Sequence, residues 1–102
     1  MQIQINYGDI EKSDALEAHV HDMLDKELTH VADQVTRIEA HLRDDKQKRR
    51  GPDDKRCMLE ARIAGEKPLA VESKAGDIYK AVGECAGKLG RAVTNRLERH
   101  DR

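Results

Sequence analysis

Two kinds of hydrophobic pattern follow one another along the chain, and they predict its elements. Four segments alternate apolar and polar residues, which is typical of strands with one buried face. These are residues 1–6, 35–43, 56–64 and 69–75. In residues 14–30 and 77–98 apolar side chains recur with a period of about 3.6 residues, which predicts two amphipathic helices. The predicted element order is therefore β-α-β-β-β-α.

Polar residues and turn formers mark the ends of these elements. Ser13 and Asp77 are suited to cap the two helices, because their side chains can accept the N–H groups that a helix start leaves free. Residues 65–68 predict a tight turn, which makes the third and fourth strands an antiparallel hairpin. Residues 44–55 contain no large apolar side chain and predict an exposed charged loop. Residues 99–102 are expected to form a frayed tail.

Each predicted strand has a single apolar face, so both helices should cover the same side of one sheet. The first strand–helix–strand unit predicts a parallel crossover, which makes the four-stranded sheet mixed. The predicted fold class is α+β, in one domain of residues 1–102. Gly83, Gly87 and Gly90 each weaken the last helix by about 1 kcal/mol relative to Ala. Packing must offset that cost, or a close backbone contact must require the glycines.

The formal net charge of −1 conceals an uneven distribution. Residues 1–33 carry two basic and eight acidic side chains, a net charge of −6. Residues 34–102 carry 17 basic and 12 acidic side chains, a net charge of +5. A surface of two signs is also common on ordinary soluble proteins, so charge alone leaves the class of partner open.

Signals for export, membrane insertion, catalysis and metal binding are missing from the sequence. The N-terminus has no cationic stretch before an apolar run, and no apolar stretch approaches ~18 residues, so we expect a cytoplasmic protein without a membrane partner. Cys57 and Cys85 fall in the apolar phase of their elements, which predicts buried reduced thiols. No HxxxH pair, nucleophile elbow or phosphate-binding loop occurs. We therefore expect no enzyme, cofactor, metal or small-molecule substrate.

One face of the last predicted helix is basic. Lys80, Lys88, Arg91, Arg99 and Arg102 fall within a sector of about 100°, opposite the apolar stripe. Such a face is suited to contact phosphates, since each cation can displace condensed counterions. The alternative is a solvated helix face with cations near its negative C-terminal end.

The predicted loop supplies a second basic candidate. Its RNA-binding candidates are Lys46, Lys48, Arg49 and Arg50. Flanking aspartates partly neutralise this run, and a charged loop without a partner is equally ordinary.

The segment Asp77-Ile78-Tyr79 with Ala81-Val82, followed by Lys88-Leu89 and Arg91, resembles the last helix of the ribosome hibernation promoting factor family. That family includes the ribosome-associated translation inhibitors. The opening strand and the helix start at Ser13 are also similar, so the resemblance covers essentially the whole chain. The resemblance is to the short members of the family. These lack the additional C-terminal domain with which the long members dimerise ribosomes.

The resemblance implies a fold related in shape to double-stranded-RNA-binding domains. It implies a stress-response protein that binds ribosomal RNA in the decoding region of the small ribosomal subunit, blocks the mRNA and tRNA sites, and is monomeric off the ribosome. By matching position, RNA contacts are expected from Lys26, Lys88, Arg91 and Arg99, and Lys80 shares their helix face. Tyr79 either packs or contacts RNA.

The acidic first helix motivates a different hypothesis. A chain with this fold that has lost ribosome binding would act as a protein–protein interaction module.

Overall fold

The computed structural model of the protein describes residues 1–45 and 54–100, and it confirms the element order β-α-β-β-β-α. The four strands are Gln2–Asn6 (β1), Val35–Asp44 (β2), Lys55–Ile63 (β3) and Leu69–Ala75 (β4). The two helices are Asp14–Leu28 (α1) and Ile78–His100 (α2). A single 3₁₀ turn at Thr29–Val31 follows α1.

The strands form one mixed sheet in the order β1-β2-β3-β4. β1 and β2 are parallel because α1 carries the chain back between them, whereas the other neighbours are antiparallel. In the turn between β3 and β4, Glu66 N–H donates to the Ile63 carbonyl at 3.0 Å and Gly65 has a φ of +75°. The predicted hairpin is confirmed, and its turn uses the backbone freedom of Gly65.

Both predicted helix caps are present. The backbone N–H of Leu16 donates to Ser13 Oγ at 3.1 Å. At α2, the N–H of Tyr79 donates to Asp77 Oδ1 at 2.7 Å, and that of Ala81 donates to the Asp77 carbonyl at 3.0 Å. The caps satisfy backbone donors that would otherwise lack partners, so they fix where each helix begins.

An aliphatic core lies between the helices and one face of the sheet. Buried side chains of α1 and α2 join the inward side chains of β2 and β3 in one cluster, so both helices cover the same face. Its largest fully buried members are Leu16, Leu24, Leu28, Ile38, Leu42, Leu59 and Leu89. The chain has no Phe or Trp, so many small apolar contacts must supply the burial free energy.

Cys57 and Cys85 are free and buried, as predicted. The Cys85 thiol donates to the Cys57 carbonyl oxygen at 3.3 Å. Hydrogen bonding with Cys85 and burial raise the pKa of the Cys57 thiol above its ordinary value. The Cys57 thiol therefore stays protonated at neutral pH, as a structural rather than a reactive group.

The second strand begins with an irregularity that strict alternation did not predict. Val35 and Ile38 are both buried although they are three positions apart, because the register of β2 on β3 shifts between Val35 and Arg37. The extra residue is a β-bulge, which leaves Thr36 exposed.

The β2–β3 hairpin extends further than predicted. Asp44 pairs with Lys55, so both are strand residues, and the N–H of Asp45 donates to the Asp54 carbonyl at 2.7 Å. Lys55 Nζ lies 3.2 Å from Asp54 Oδ1 and 3.4 Å from Asp44 Oδ2. These ion pairs accompany strand pairing that an apolar pattern could not reveal. The rest of the predicted loop, residues 46–53, lies outside the described residues.

The C-terminus also differs slightly from the prediction. α2 continues through Arg99 to His100, the first two residues of the predicted frayed tail. Residues 101–102 lie outside the described residues.

Candidate nucleic-acid interface

The structure places the predicted RNA-binding residues on the outer surfaces of the two helices. Lys80, Lys88, Arg91 and Arg99 are exposed on α2, on the side away from its buried stripe, and Lys26 is exposed on α1. The loop candidates Lys46, Lys48, Arg49 and Arg50 lie outside the described residues.

The two helices meet along a line of contacts that we call the helix seam. On α1 and the 3₁₀ turn it is formed by His19, Met23, Glu27 and His30, which are spaced three or four residues apart and so share one side. On α2 it is formed by Tyr79, Gly83, Gly90 and Thr94. The His19 ring donates from Nε2 to the Tyr79 carbonyl at 2.9 Å. His30 Nε2 lies 2.6 Å from Thr94 Oγ1.

Lys26 flanks this seam. It lies three residues after Met23 and four before His30, both of which are seam residues. At about 100° per residue, Asp22 and Asp25 fall on the side of Lys26 that faces away from α2. These two acidic residues of α1 therefore do not lie between Lys26 and the basic face of α2.

The helix-face cations form no close ion pairs within the described part of the chain. Among residues 1–45 and 54–100, no ion pair involves Lys26, Lys80, Lys88, Arg91 or Arg99. Lys88 Nζ donates instead to the Glu72 carbonyl at 2.8 Å, which places it beside β4. Two exposed carboxylates, Glu84 and Glu98, are interspersed on α2.

The outer face of the sheet differs, because several of its cations lie within 4 Å of carboxylates. The pairs are Arg37–Glu39 at 3.1 Å, Arg56–Asp45 at 3.4 Å and Lys74–Glu72 at 3.5 Å. A small cavity of about 110 Å³ on this face is lined by His41, Arg43, Arg56 and Met58. Fewer cations without an ion-pair partner are therefore available to RNA on this surface than on the helices.

A larger cavity of about 280 Å³ opens at the helix seam, and we call it the seam cleft. It is lined by Glu27, His30, Gly90, Arg91, Thr94 and Asn95. The Thr94 hydroxyl donates to the Gly90 carbonyl at 2.8 Å, so its oxygen must accept from His30 Nε2–H. This arrangement fixes both the tautomer and the position of the His30 ring.

Sequence reasoning did not identify the seam cleft. His30 and Thr94 are 64 residues apart, and no local pattern indicates that they meet. The one available signal was the glycine content of the last helix. Of the two alternatives for these glycines, Gly90 shows the close backbone contact, since an added Cβ would lie 2.7 Å from the Glu27 carbonyl oxygen.

Tyr79 is partly packed. Its ring lies against the His19 ring, with centroids 5.0 Å apart, and 39% of the residue remains exposed. Packing at the start of α2 is thus observed, while contact with RNA stays a prediction.

Within residues 1–45 and 54–100, no three His, Cys, Asp or Glu side chains come together in a way that would hold a metal ion. In the same part of the chain, neither helix is long and apolar enough to span a membrane.

Comparison with known proteins gives a consistent result. The protein-family model described as Sigma 54 modulation protein / S30EA ribosomal protein matches residues 3–101. A search of curated proteins found no match. Among solved structures, a ribosomal subunit interface protein from Coxiella burnetii superimposes with a TM-score of 0.82 at 18% identity, covering 96% of this chain and 99% of its own. The N-terminal domain of Protein Y from Thermus thermophilus gives a TM-score of 0.74 at 18% identity, with coverages of 93% and 98%. At these identities the two structures establish similarity of fold.

Proposed function

Because the chain belongs to the Sigma 54 modulation protein / S30EA ribosomal protein family, we propose that it is a ribosome-associated translation inhibitor acting in the cytoplasm. In this proposal it binds ribosomal RNA of the small subunit near the decoding region during hibernation. It inhibits by occupying the space of mRNA and tRNA, so it needs no catalytic group.

The observation that carries the proposal is the set of unpaired cations on the helices. Lys26, Lys80, Lys88, Arg91 and Arg99 are exposed, and within the described residues none has a carboxylate partner. A phosphate that approaches them replaces water and releases counterions from the RNA, without first breaking an internal ion pair. RNA binding to this surface is therefore favoured despite the net charge of −1.

Rigidity of the surface supports the same assignment. These cations project from two helices that contact each other at backbone distance, as the Gly90–Glu27 approach indicates. The helices in turn cover a four-stranded sheet through a continuous core. A preorganised array of charges loses less conformational entropy on binding than the same charges on a loop. Recognition would rest on phosphate positions and RNA shape, without a code for base sequence at these cations.

Co-sedimentation with isolated small subunits tests the proposal. The variant Arg91→Glu reverses an exposed charge on α2, and Arg62→Glu makes the same change on the outer face of the sheet. Since each lost phosphate contact weakens binding, Arg91→Glu should pellet with the subunits about tenfold less efficiently in dilute salt. Arg62→Glu should pellet as the unmodified protein does. If the two variants pelleted equally well with small subunits, the helix face would not be the binding surface.

The exposed acids of α1 support a second candidate function. Asp14, Asp22 and Asp25 form an acidic surface on the side away from α2 that suits a basic protein partner. If the double variant Lys88→Glu/Arg91→Glu retained every cellular interaction of the unmodified chain, this protein–protein interaction module would be favoured.

A further inference from the structure

The seam cleft has a feature that phosphate binding does not explain. Glu27 is half-buried and lines this cleft together with Arg91, within the surface proposed to contact RNA, although the two form no ion pair. In the described part of the chain, the carboxylate has neither a hydrogen-bond nor an ion-pair partner. Since a carboxylate repels phosphates, Glu27 opposes RNA binding unless the RNA presents hydrogen-bond donors to it.

We propose that the seam cleft binds the base of one unpaired guanine nucleotide. The inference rests on the proposed function and adds to it the chemical identity of one RNA group. Guanine carries two neighbouring N–H donors, at N1 and N2, on its Watson–Crick edge, and the Glu27 carboxylate can accept both. Its Hoogsteen edge carries acceptors at O6 and N7, and an Arg guanidinium such as Arg91 donates to them in pairs.

The other three bases match this pair of groups less well. Cytosine and adenine each place an acceptor beside their single exocyclic amine on the Watson–Crick edge. Uracil has one N–H between two carbonyl acceptors. Each of these three bases would therefore place an acceptor against one oxygen of the Glu27 carboxylate. That oxygen would lose its water without gaining a hydrogen-bond donor, which disfavours binding.

The size and walls of the cleft suit one planar base. Its volume of about 280 Å³ lies just under the range of drug-sized ligand sites, which starts at about 300 Å³. The His30 ring, held by Thr94 Oγ1, forms one wall on which a base can stack. The exposed Asn95 amide lies at the cleft and offers both a donor and an acceptor.

Fluorescence anisotropy with short labelled RNA tests the proposal on the full chain. The probes are the single-stranded heptamer UUUGUUU and its versions with A, C or U at the central position. We expect the unmodified protein to bind the G heptamer at least about fivefold more tightly than the other three. Equal binding of all four heptamers, or no measurable binding of any, would overturn the proposal.

The variant Glu27→Gln separates base recognition from general charge. Gln keeps the volume of Glu but replaces one of its two acceptor oxygens by a donor, which opposes one of the two guanine N–H groups, so the preference for G should fall severalfold. Affinity for the A, C and U heptamers should stay the same or rise, because a negative charge is removed. Glu84→Gln is the matched control, since it removes an exposed carboxylate of α2 that does not line the cleft. It should retain the preference for G.

The two proposals fail in different ways. If Glu27→Gln keeps the preference for G, or if Glu84→Gln loses it equally, the guanine site is wrong. Binding of small subunits by the same preparation would still stand in that case. Absence of small-subunit binding in dilute salt would instead count against the proposed function itself.

Discussion

Gly90 of α2 lies against the backbone of Glu27 in α1, so close that an added Cβ would stand 2.7 Å from the Glu27 carbonyl oxygen. Only a glycine permits this approach. The contact sets the distance between the helices, and with it the positions of Arg91 and the Glu27 side chain on either side of the seam cleft. Helix packing and the candidate interface therefore depend on the same residue.

Substitution of Gly90 by Ala should destabilise the protein. Ala gains about 1 kcal/mol of intrinsic helix propensity, but its Cβ collides with backbone, and overpacking of this kind typically costs about 1–3 kcal/mol. The expected net effect is a loss of about 1 kcal/mol in the free energy of unfolding, measured by urea denaturation.

Gly83→Ala is the matched control for Gly90→Ala. Its added Cβ would lie 3.8 Å from Met23 Sδ, an ordinary contact with a flexible side chain. We expect this variant to be stabilised by about 0.5–1 kcal/mol. If both variants were stabilised alike, the close helix contact would not be needed.

Thr94→Val should release the His30 ring. Thr94 Oγ1 accepts from His30 Nε2–H while it donates to the Gly90 carbonyl, and Val removes both bonds at similar volume. Two-dimensional ¹⁵N–¹H NMR of the His30 ring should show the Nε2–H tautomer in the unmodified protein and a mixture of tautomers in the variant. Thr36→Val is the control: it removes a hydroxyl that bonds to the Arg62 carbonyl on the sheet and not to His30, so it should leave the ring unchanged. A His30 ring unprotonated at Nε2 in the unmodified protein would contradict the assignment.

Burial of Cys57 predicts a loss of stability in alkaline solution. Hydrogen bonding with Cys85 and burial raise the pKa of the Cys57 thiol, so the folded chain keeps a proton at Cys57 that the unfolded chain releases. The same hydrogen bond lowers the pKa of the Cys85 thiol, whose effect on stability has the opposite sign and offsets part of the decrease. The contribution of Cys57 to the free energy of unfolding is complete below about pH 8.5, the ordinary pKa of a thiol. Above that pH it falls by up to about 1.4 kcal/mol per pH unit. Urea denaturation between about pH 7.5 and 9.5 should show a smaller decrease for Cys57→Ala. Identical pH slopes for the two proteins would argue against a perturbed thiol.

The fold could be predicted largely from local pattern because burial in this chain is periodic. Inward residues such as Leu59 and Ala61 alternate with outward ones, and Ser13 and Asp77 cap the helices where their side chains indicate. The apolar pattern does not predict features that depend on polar contacts or on strand register. The Asp44–Lys55 pair extends the β2–β3 hairpin without any apolar signal, and the bulge after Val35 interrupts alternation.

The candidate site was predictable only in part. Cations on one helix face, such as Lys88 and Arg91, can be identified from sequence because their spacing follows the helical period. Their lack of ion-pair partners within the described residues depends on where distant carboxylates lie. The seam cleft depends on contacts such as His30 with Thr94, which join two helices distant in the chain. Tertiary packing, and no local pattern, brings these groups together.

The salt dependence of small-subunit binding reports how many phosphates the helix-face cations contact. With about four to six phosphate contacts, the slope of log K against log salt concentration should be about −3 to −5. Arg91→Ala should reduce the magnitude of this slope by about 1, while Arg62→Ala leaves it unchanged. A slope near zero, or an equal reduction in both variants, would show that the helix-face cations do not bind RNA phosphates.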